Sequence, residues 1–148
     1  VSREDYQGNL WAALRNIHDF TGQHVVDVGA GTGRITRLLA PHAARITAVD
    51  IAHHMLQQAR KRLAAEGWMN WQTAVADARH LPLKSKTADV AIAGWALGHS
   101  IGWYPETWQL IIGQAIQSMQ RILKPGGTLI LIETLGTGTE TAVPPKSD

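Results

Sequence analysis

The residues best suited to chemistry are a glycine-rich stretch and the aspartate that precedes it. Asp27 stands two residues before Gly29-Ala30-Gly31-Thr32-Gly33. Glycine lets the backbone turn sharply and lets a ligand approach the main chain. A carboxylate is favourable beside an ammonium group and unfavourable beside a pyrophosphate. The stretch therefore indicates a ligand with a positive end, and a purely structural glycine turn is the alternative.

Two further aspartates follow β-branched or apolar runs farther along the chain. Asp50 comes about 20 residues after the glycines, where an acidic side chain can accept hydrogen bonds from both ribose hydroxyls. Asp50 could instead be a helix N-cap. The glycines upstream favour the role of a ribose ligand over this alternative. Ile51 would then offer an apolar surface to a base. Asp77 could accept from an adenine amine while the Ala78 N–H donates to the ring, although Asp77 alone is more typical of an ordinary turn.

No residue stands out as catalytic. His99 could be a general base because its pKa suits proton transfer near neutrality, but a structural loop histidine is the favoured interpretation. The adjacent pair His53–His54 points to different sides of a helix, so we expect no metal site. The aromatic residues Trp95, Trp103 and Tyr104 follow a predicted strand and are placed to line a pocket.

Short β-branched runs that alternate with helical patterns must position these residues. Strands are predicted at His24–Val28, Arg45–Asp50, Asn70–Ala76, Asp89–Ala93 and Thr128–Glu133. Helices are predicted at 3–20, Arg34–Ala40, Ala52–Glu66 and Pro105–Leu123. This alternation indicates an α/β fold with a doubly wound parallel sheet covered on both faces. A ligand then binds at the carboxyl ends of the strands, where the candidate residues lie.

Length and composition exclude several classes of protein. The 148 residues allow one domain, and 45% hydrophobic residues exclude general disorder. No apolar run reaches the ~20 residues of a membrane-spanning helix. The net charge of +2 is too small to indicate a nucleic acid partner or an anionic membrane, and zero cysteines exclude disulfides. The start has no signal peptide, so a cytoplasmic location is expected.

Taken together, these motifs resemble those of class I S-adenosylmethionine-dependent methyltransferases. The resemblance rests on Asp27-x-Gly29-x-Gly31-x-Gly33, Asp50, Asp77-Ala78 and the Lys124–Gly127 turn, and it covers about residues 20–135. The small-molecule branch often carries D-I-x-x-x-M-L-x-x-A-R, which begins here at Asp50. The resemblance implies a Rossmann-like sheet of five strands in the order 3-2-1-4-5, S-adenosylmethionine as cofactor, S-adenosylhomocysteine as product, and methyl transfer to a small molecule.

The resemblance also implies how the cofactor is held. The implied cofactor-binding residues are Tyr6, Asp27, Gly29, Ala30, Gly31, Asp50, Ile51, Met55, Asp77, Ala78 and Ala93. The glycines would pass beside the methionine part, Asp50 would hold the ribose, and Asp77 with Ala78 would bind the adenine edge. Ile51 and Met55 would flank adenine. The Ala93 carbonyl would meet the methionine ammonium, and Tyr6 would close over it.

Two departures from the family pattern shape the remaining expectations. Ala93-Gly94-Trp95 replaces the N/D-P-P-Y/F of enzymes that methylate base amino groups, which argues against DNA adenine as acceptor. A domain is expected over 1–135, followed by a loose tail over 136–148, where Gly, Thr, Pro and Lys dominate. The chain ends at Asp148 without the usual sixth and seventh strands. The exposed strand Thr128–Glu133 would then pair with another chain in a homo-oligomer, or the chain is a fragment of a longer protein.

Two other functions compete with methyl transfer. The chain could bind the cofactor without catalysis, as a truncated module or a partner subunit. A nicotinamide dehydrogenase is disfavoured, because its loop would need glycine where Arg34 stands and because Asp27 would face a diphosphate.

Overall fold

The computed structural model describes residues 3–97 and 103–133, with side chains from residue 8 onward. The helices are α1 Arg3–Ile17, α2 Arg34–Leu39, α3 His53–Ala65 and α4 Trp108–Ile122, with a short 3-10 helix at Ala78–His80. The strands are β1 His24–Val28, β2 Arg45–Asp50, β3 Trp71–Val75, β4 Ala88–Gly94 and β5 Leu123–Ile132. Within these residues, no helix is both long and apolar enough to cross a membrane.

The five strands form one parallel sheet in the order β3-β2-β1-β4-β5. The central strand β1 places Val28 opposite Val49 of β2 and Ala93 of β4. The carboxyl ends of β1, β2 and β4 therefore meet at one edge. This arrangement confirms the predicted fold class and strand order.

Apolar residues cover both faces of the sheet. Successive β1 residues point to opposite faces, so Val25 belongs to one buried cluster and Val26 to the other. The first cluster takes Leu39 of α2, and the second takes Met119 and Ile122 of α4. Burial on both sides explains why the strands are almost continuously apolar.

Three predicted boundaries differ from the structure by three or more residues, and several others differ by one. Strand β5 begins at Leu123 rather than Thr128, because Leu123 pairs with Ala88 across an irregularity in the β4–β5 register. The expected turn Lys124–Gly127 falls within this span, where its residues have no strand-pairing partner in β4 and Gly126 has φ +79°. Helix α4 begins three residues later than predicted, after a turn over residues 105–107. Helix α1 ends at Ile17 because Phe20, 1% exposed, leaves the helix to fill the core.

Candidate cofactor-binding site

A cavity of about 760 Å³ opens at the carboxyl ends of the strands. Its walls come from the segments that follow β1, β2, β3 and β4, together with Ile111 and Ala115 of α4. Nine of the eleven predicted cofactor residues line it. These are Asp27, Gly29, Ala30, Gly31, Asp50, Ile51, Met55, Asp77 and Ala78.

The glycine loop between β1 and α2 is bound to the end of β2. The N–H groups of Gly29 and Ala30 donate to the Val49 carbonyl at 2.8 and 2.9 Å. Gly29 has φ +69°, and a Cβ added there would overlap the Cβ of Ala96. Gly31 has φ +57°, and an added Cβ would project toward Met55. Both positions thus favour glycine. Gly29 allows close packing against Ala96, and Gly31 leaves the space above the loop unfilled.

Asp50 joins the glycine loop to the start of α3. Its carboxylate accepts from the Gly31 N–H and from the Ala52 N–H, each at 2.8 Å. The N-cap residue of α3 is Ala52, and no described side chain caps the helix, so the alternative role of Asp50 as the N-cap is wrong. A carboxylate offers about four lone-pair sites, so two contacts leave capacity for a ligand in the cavity that Asp50 lines.

Asp27 lies on the floor of the cavity. The side chain is 1% exposed, and Thr36 of α2 covers it and donates its hydroxyl to the carboxylate at 2.6 Å. Burial raises the pKa of Asp27 to about 7, against the opposing effect of the Thr36 hydrogen bonds. The negative charge of Asp50 raises this pKa further, and the positive charge of Arg34 lowers it.

Asp77 is engaged by Arg79 two residues later. Its carboxylate accepts from the Arg79 N–H at 2.9 Å and from the guanidinium at 2.7 Å. These contacts hold the pKa of Asp77 below its usual value, the side-chain hydrogen bond being the largest cause. The turn interpretation of Asp77 is therefore correct locally, and the same residue also lines the cavity. No sequence pattern pointed to Arg79, because its pairing with Asp77 forms only in the 3-10 turn.

Apolar residues complete both ends of the cavity. Ile51 is 69% exposed at the β2 end, and Met55 lies beside Gly31. At the other end Trp95, Trp103 and Tyr104 line the wall, as predicted from their position after the fourth strand. Trp103 and Tyr104 are at least half exposed and form an aromatic rim.

Three residues named in the sequence analysis do not line the cavity or are not described by the structure. Ala93 is 1% exposed, pairs with Val28 and Leu131, and directly precedes the lining residue Gly94. Tyr6 belongs to α1, but its side chain is outside the described ones, and His99 is outside the described residues.

A glycine turn after the first strand and an acid at the end of the second, on a sheet of this order, define the class I S-adenosylmethionine-dependent methyltransferase fold. Residues 26–131 match the family described as "Methyltransferase domain", and the chain belongs to that family.

Individual relatives agree with this assignment. The chain is 33% identical over 120 residues to a demethylmenaquinone methyltransferase of Symbiobacterium thermophilum, covering 78% of this chain and 44% of the relative. A solved protein of Pyrococcus horikoshii matches with a TM-score of 0.77 and 27% identity, over 90% of this chain and 57% of that one. An S-adenosylmethionine-dependent methyltransferase of Mesorhizobium loti matches with a TM-score of 0.65 and 27% identity, over 82% and 51%. The chain thus spans about half the length of these relatives.

Proposed function

We propose that the chain binds S-adenosylmethionine in this cavity and supports methyl transfer to a small molecule. One observation carries the proposal: Asp77, Asp50 and Asp27 lie within two residues of the carboxyl ends of three neighbouring strands and line one cavity. Neighbouring strands lie about 5 Å apart. The three carboxylates are therefore spaced along the edge like the adenine, ribose and amino acid parts of an extended cofactor.

At the nucleoside end, side chains supply both polar and apolar contacts. The remaining lone pairs of Asp50 accept from the ribose hydroxyls. Ile51 and Met55 contact the faces of adenine, while Asp77 and the Ala78 N–H bind its edge. The exposed position of Ile51 supports this role, because a base laid on it would cover apolar surface that now faces water.

At the amino acid end, the backbone of Gly29 and Gly31 passes beside the ligand, and Gly31 has no side chain between its backbone and the cavity that it lines. The ionised form of Asp27 and the Ala93 carbonyl balance the ammonium charge. Desolvation strengthens the attraction between the ammonium and Asp27, because that carboxylate is buried.

The bound cofactor supplies a methyl group activated by the sulfonium. The residues of the chain orient this group and hold the acceptor in line with it, which lowers the entropic part of the barrier. Trp95, Leu97, Trp103 and Tyr104 form an apolar, aromatic wall that keeps water from the acceptor side. This wall favours an apolar acceptor, and the demethylmenaquinone relative makes a naphthoquinol the first compound to test.

A second candidate function is cofactor binding without methyl transfer. Among the described residues of that apolar wall, the Tyr104 phenol is the one titratable group. Turnover of methyl-labelled cofactor on a panel of acceptors separates the two functions. Tight binding without transfer to any acceptor would favour the binding module.

Titration calorimetry with S-adenosylhomocysteine tests the site itself. We expect Asp50→Ala to weaken binding by about 1–3 kcal/mol, because hydrogen-bonding groups of the ribose and the loop lose their acceptor. Asp19→Ala is the matched control, since Asp19 also accepts from a backbone N–H but is exposed and lies before β1. Equal affinity of Asp50→Ala and wild type would remove Asp50 from the site.

The homo-oligomer and the cytoplasmic location stay predictions. Strand β5 forms an edge of the described sheet and leaves Leu131 44% exposed, which supports pairing through this strand. Light scattering that shows a monomer at high concentration would contradict the oligomer.

A further inference from the structure

Arg34 occupies a defined position in the cavity wall. It is the first residue of α2, and its guanidinium carbon lies 4.4 Å from the centroid of the Trp95 ring. The Trp95 backbone has φ +59°, and its N–H donates to the Ile132 carbonyl at 2.7 Å. The end of β4 therefore holds the backbone of the residue whose ring lies beneath the guanidinium.

The structure places this pair at the amino acid end of the proposed cofactor site. An added Cβ on Gly94 would overlap the Ile35 side chain, so the start of α2 packs directly against the end of β4. The charge of Arg34 also acts on Asp27 at the cavity floor. Asp77 lies beyond β3, at the opposite end of the four strands that border the cavity.

The Arg34 guanidinium lies over the Trp95 ring and lines the cavity. A planar guanidinium can bind a carboxylate through two parallel N–H groups, which gives the contact a defined geometry as well as a favourable charge.

We propose that Arg34, oriented by Trp95, binds the carboxylate of the methionine moiety. The inference rests on the proposed function, because it assumes that the cofactor lies in this cavity. The amino acid end carries an ammonium and a carboxylate. Asp27 suits the first charge, and a planar guanidinium on the same wall suits the second through charge-assisted hydrogen bonds.

Calorimetry with three ligands isolates this contact. The ligands are S-adenosylmethionine, its decarboxylated form, which keeps the ammonium, and methylthioadenosine, which lacks the amino acid part. We expect Arg34→Met to weaken the binding of S-adenosylmethionine about ten- to hundredfold, the usual range for a hydrogen bond to a charged group. Binding of the decarboxylated form and of methylthioadenosine should change less than twofold. Arg34→Lys keeps the charge but loses the planar guanidinium. Its affinity for S-adenosylmethionine should lie between those of wild type and Arg34→Met.

Two control variants make the result specific. Arg45→Met removes the same charge at the opposite edge of the sheet, where β2 begins, and should leave all three affinities unchanged. Trp95→Leu removes the stacking face and should lower the preference for S-adenosylmethionine over its decarboxylated form. If Arg34→Met does not fold, the Trp95→Leu variant serves as the test in its place.

The outcomes separate the inference from the function on which it rests. Equal losses for S-adenosylmethionine and the decarboxylated form in Arg34→Met would overturn the inference. The same loss of preference in Arg45→Met would also overturn it, because long-range charge would then explain the effect. If wild type binds none of the three ligands, the proposed function fails instead.

Discussion

The buried carboxyl of Asp27 gives the stability of this protein a specific dependence on pH. The pKa of Asp27 is raised to about 7 by burial, so the folded protein keeps a proton that the unfolded chain loses near its ordinary value of 3.8. For a group whose pKa is raised on folding, the stabilising contribution is complete below the unfolded pKa. It is lost as the pH rises through the folded pKa.

The size of the effect follows from the two pKa values. Each pH unit between 3.8 and about 7 lowers the free energy of unfolding by about 1.4 kcal/mol through this group. Over the whole interval, from about pH 4 to pH 7, the free energy of unfolding falls by about 4 kcal/mol through this group. Asn in place of Asp27 cannot ionise, and its carbonyl can still accept from the Thr36 hydroxyl. The variant Asp27→Asn should therefore lack this part of the pH dependence.

Urea unfolding of wild type and Asp27→Asn at several pH values measures the difference. Other groups titrate in both proteins, so their contribution cancels when the variant is subtracted from wild type. We expect wild type to lose stability relative to Asp27→Asn as the pH rises to 7, with no further relative loss above it. Parallel curves over the whole range would show that Asp27 does not hold a proton in the folded protein.

Two further variants test the walls of the cavity. Gly29→Ala should lower the free energy of unfolding by about 1–3 kcal/mol more than Gly22→Ala. Both glycines have φ near +70°, but only Gly29 would place its new Cβ against Ala96, so equal losses in thermal melts would argue against close packing there. Arg79→Met should raise the pKa of Asp77 toward 3.8, because the lost hydrogen bond is the main cause of its lowered value. Carboxyl chemical shifts followed by NMR would contradict that cause if the pKa stayed low.

Local sequence patterns were sufficient to predict the fold and the edge of the sheet at which the cavity lies. Apolar strands alternating with helices predict a parallel sheet, and parallel strands bring Asp50 and the glycine loop to one edge. The structure confirms this order. The start of β5 was not predictable, because it depends on the pairing of Leu123 with Ala88, a contact between distant parts of the chain.

The side-chain partners in the cavity could not be predicted from the sequence either, because they too come from distant parts of the chain. Asp27 is buried because Thr36 packs over it after α2 has docked on the sheet. Arg34 meets Trp95 only once β1 and β4 are neighbours. Such contacts depend on tertiary packing, whereas glycine and aspartate spacing reports only local backbone geometry.

A crystal structure with S-adenosylhomocysteine tests the central claim most directly. The account predicts an extended ligand across the ends of β3, β2 and β1, with adenine beside Asp77, ribose on Asp50 and the amino acid end above Asp27. Ligand density at another surface, or the reverse orientation with adenine above Asp27, would contradict it.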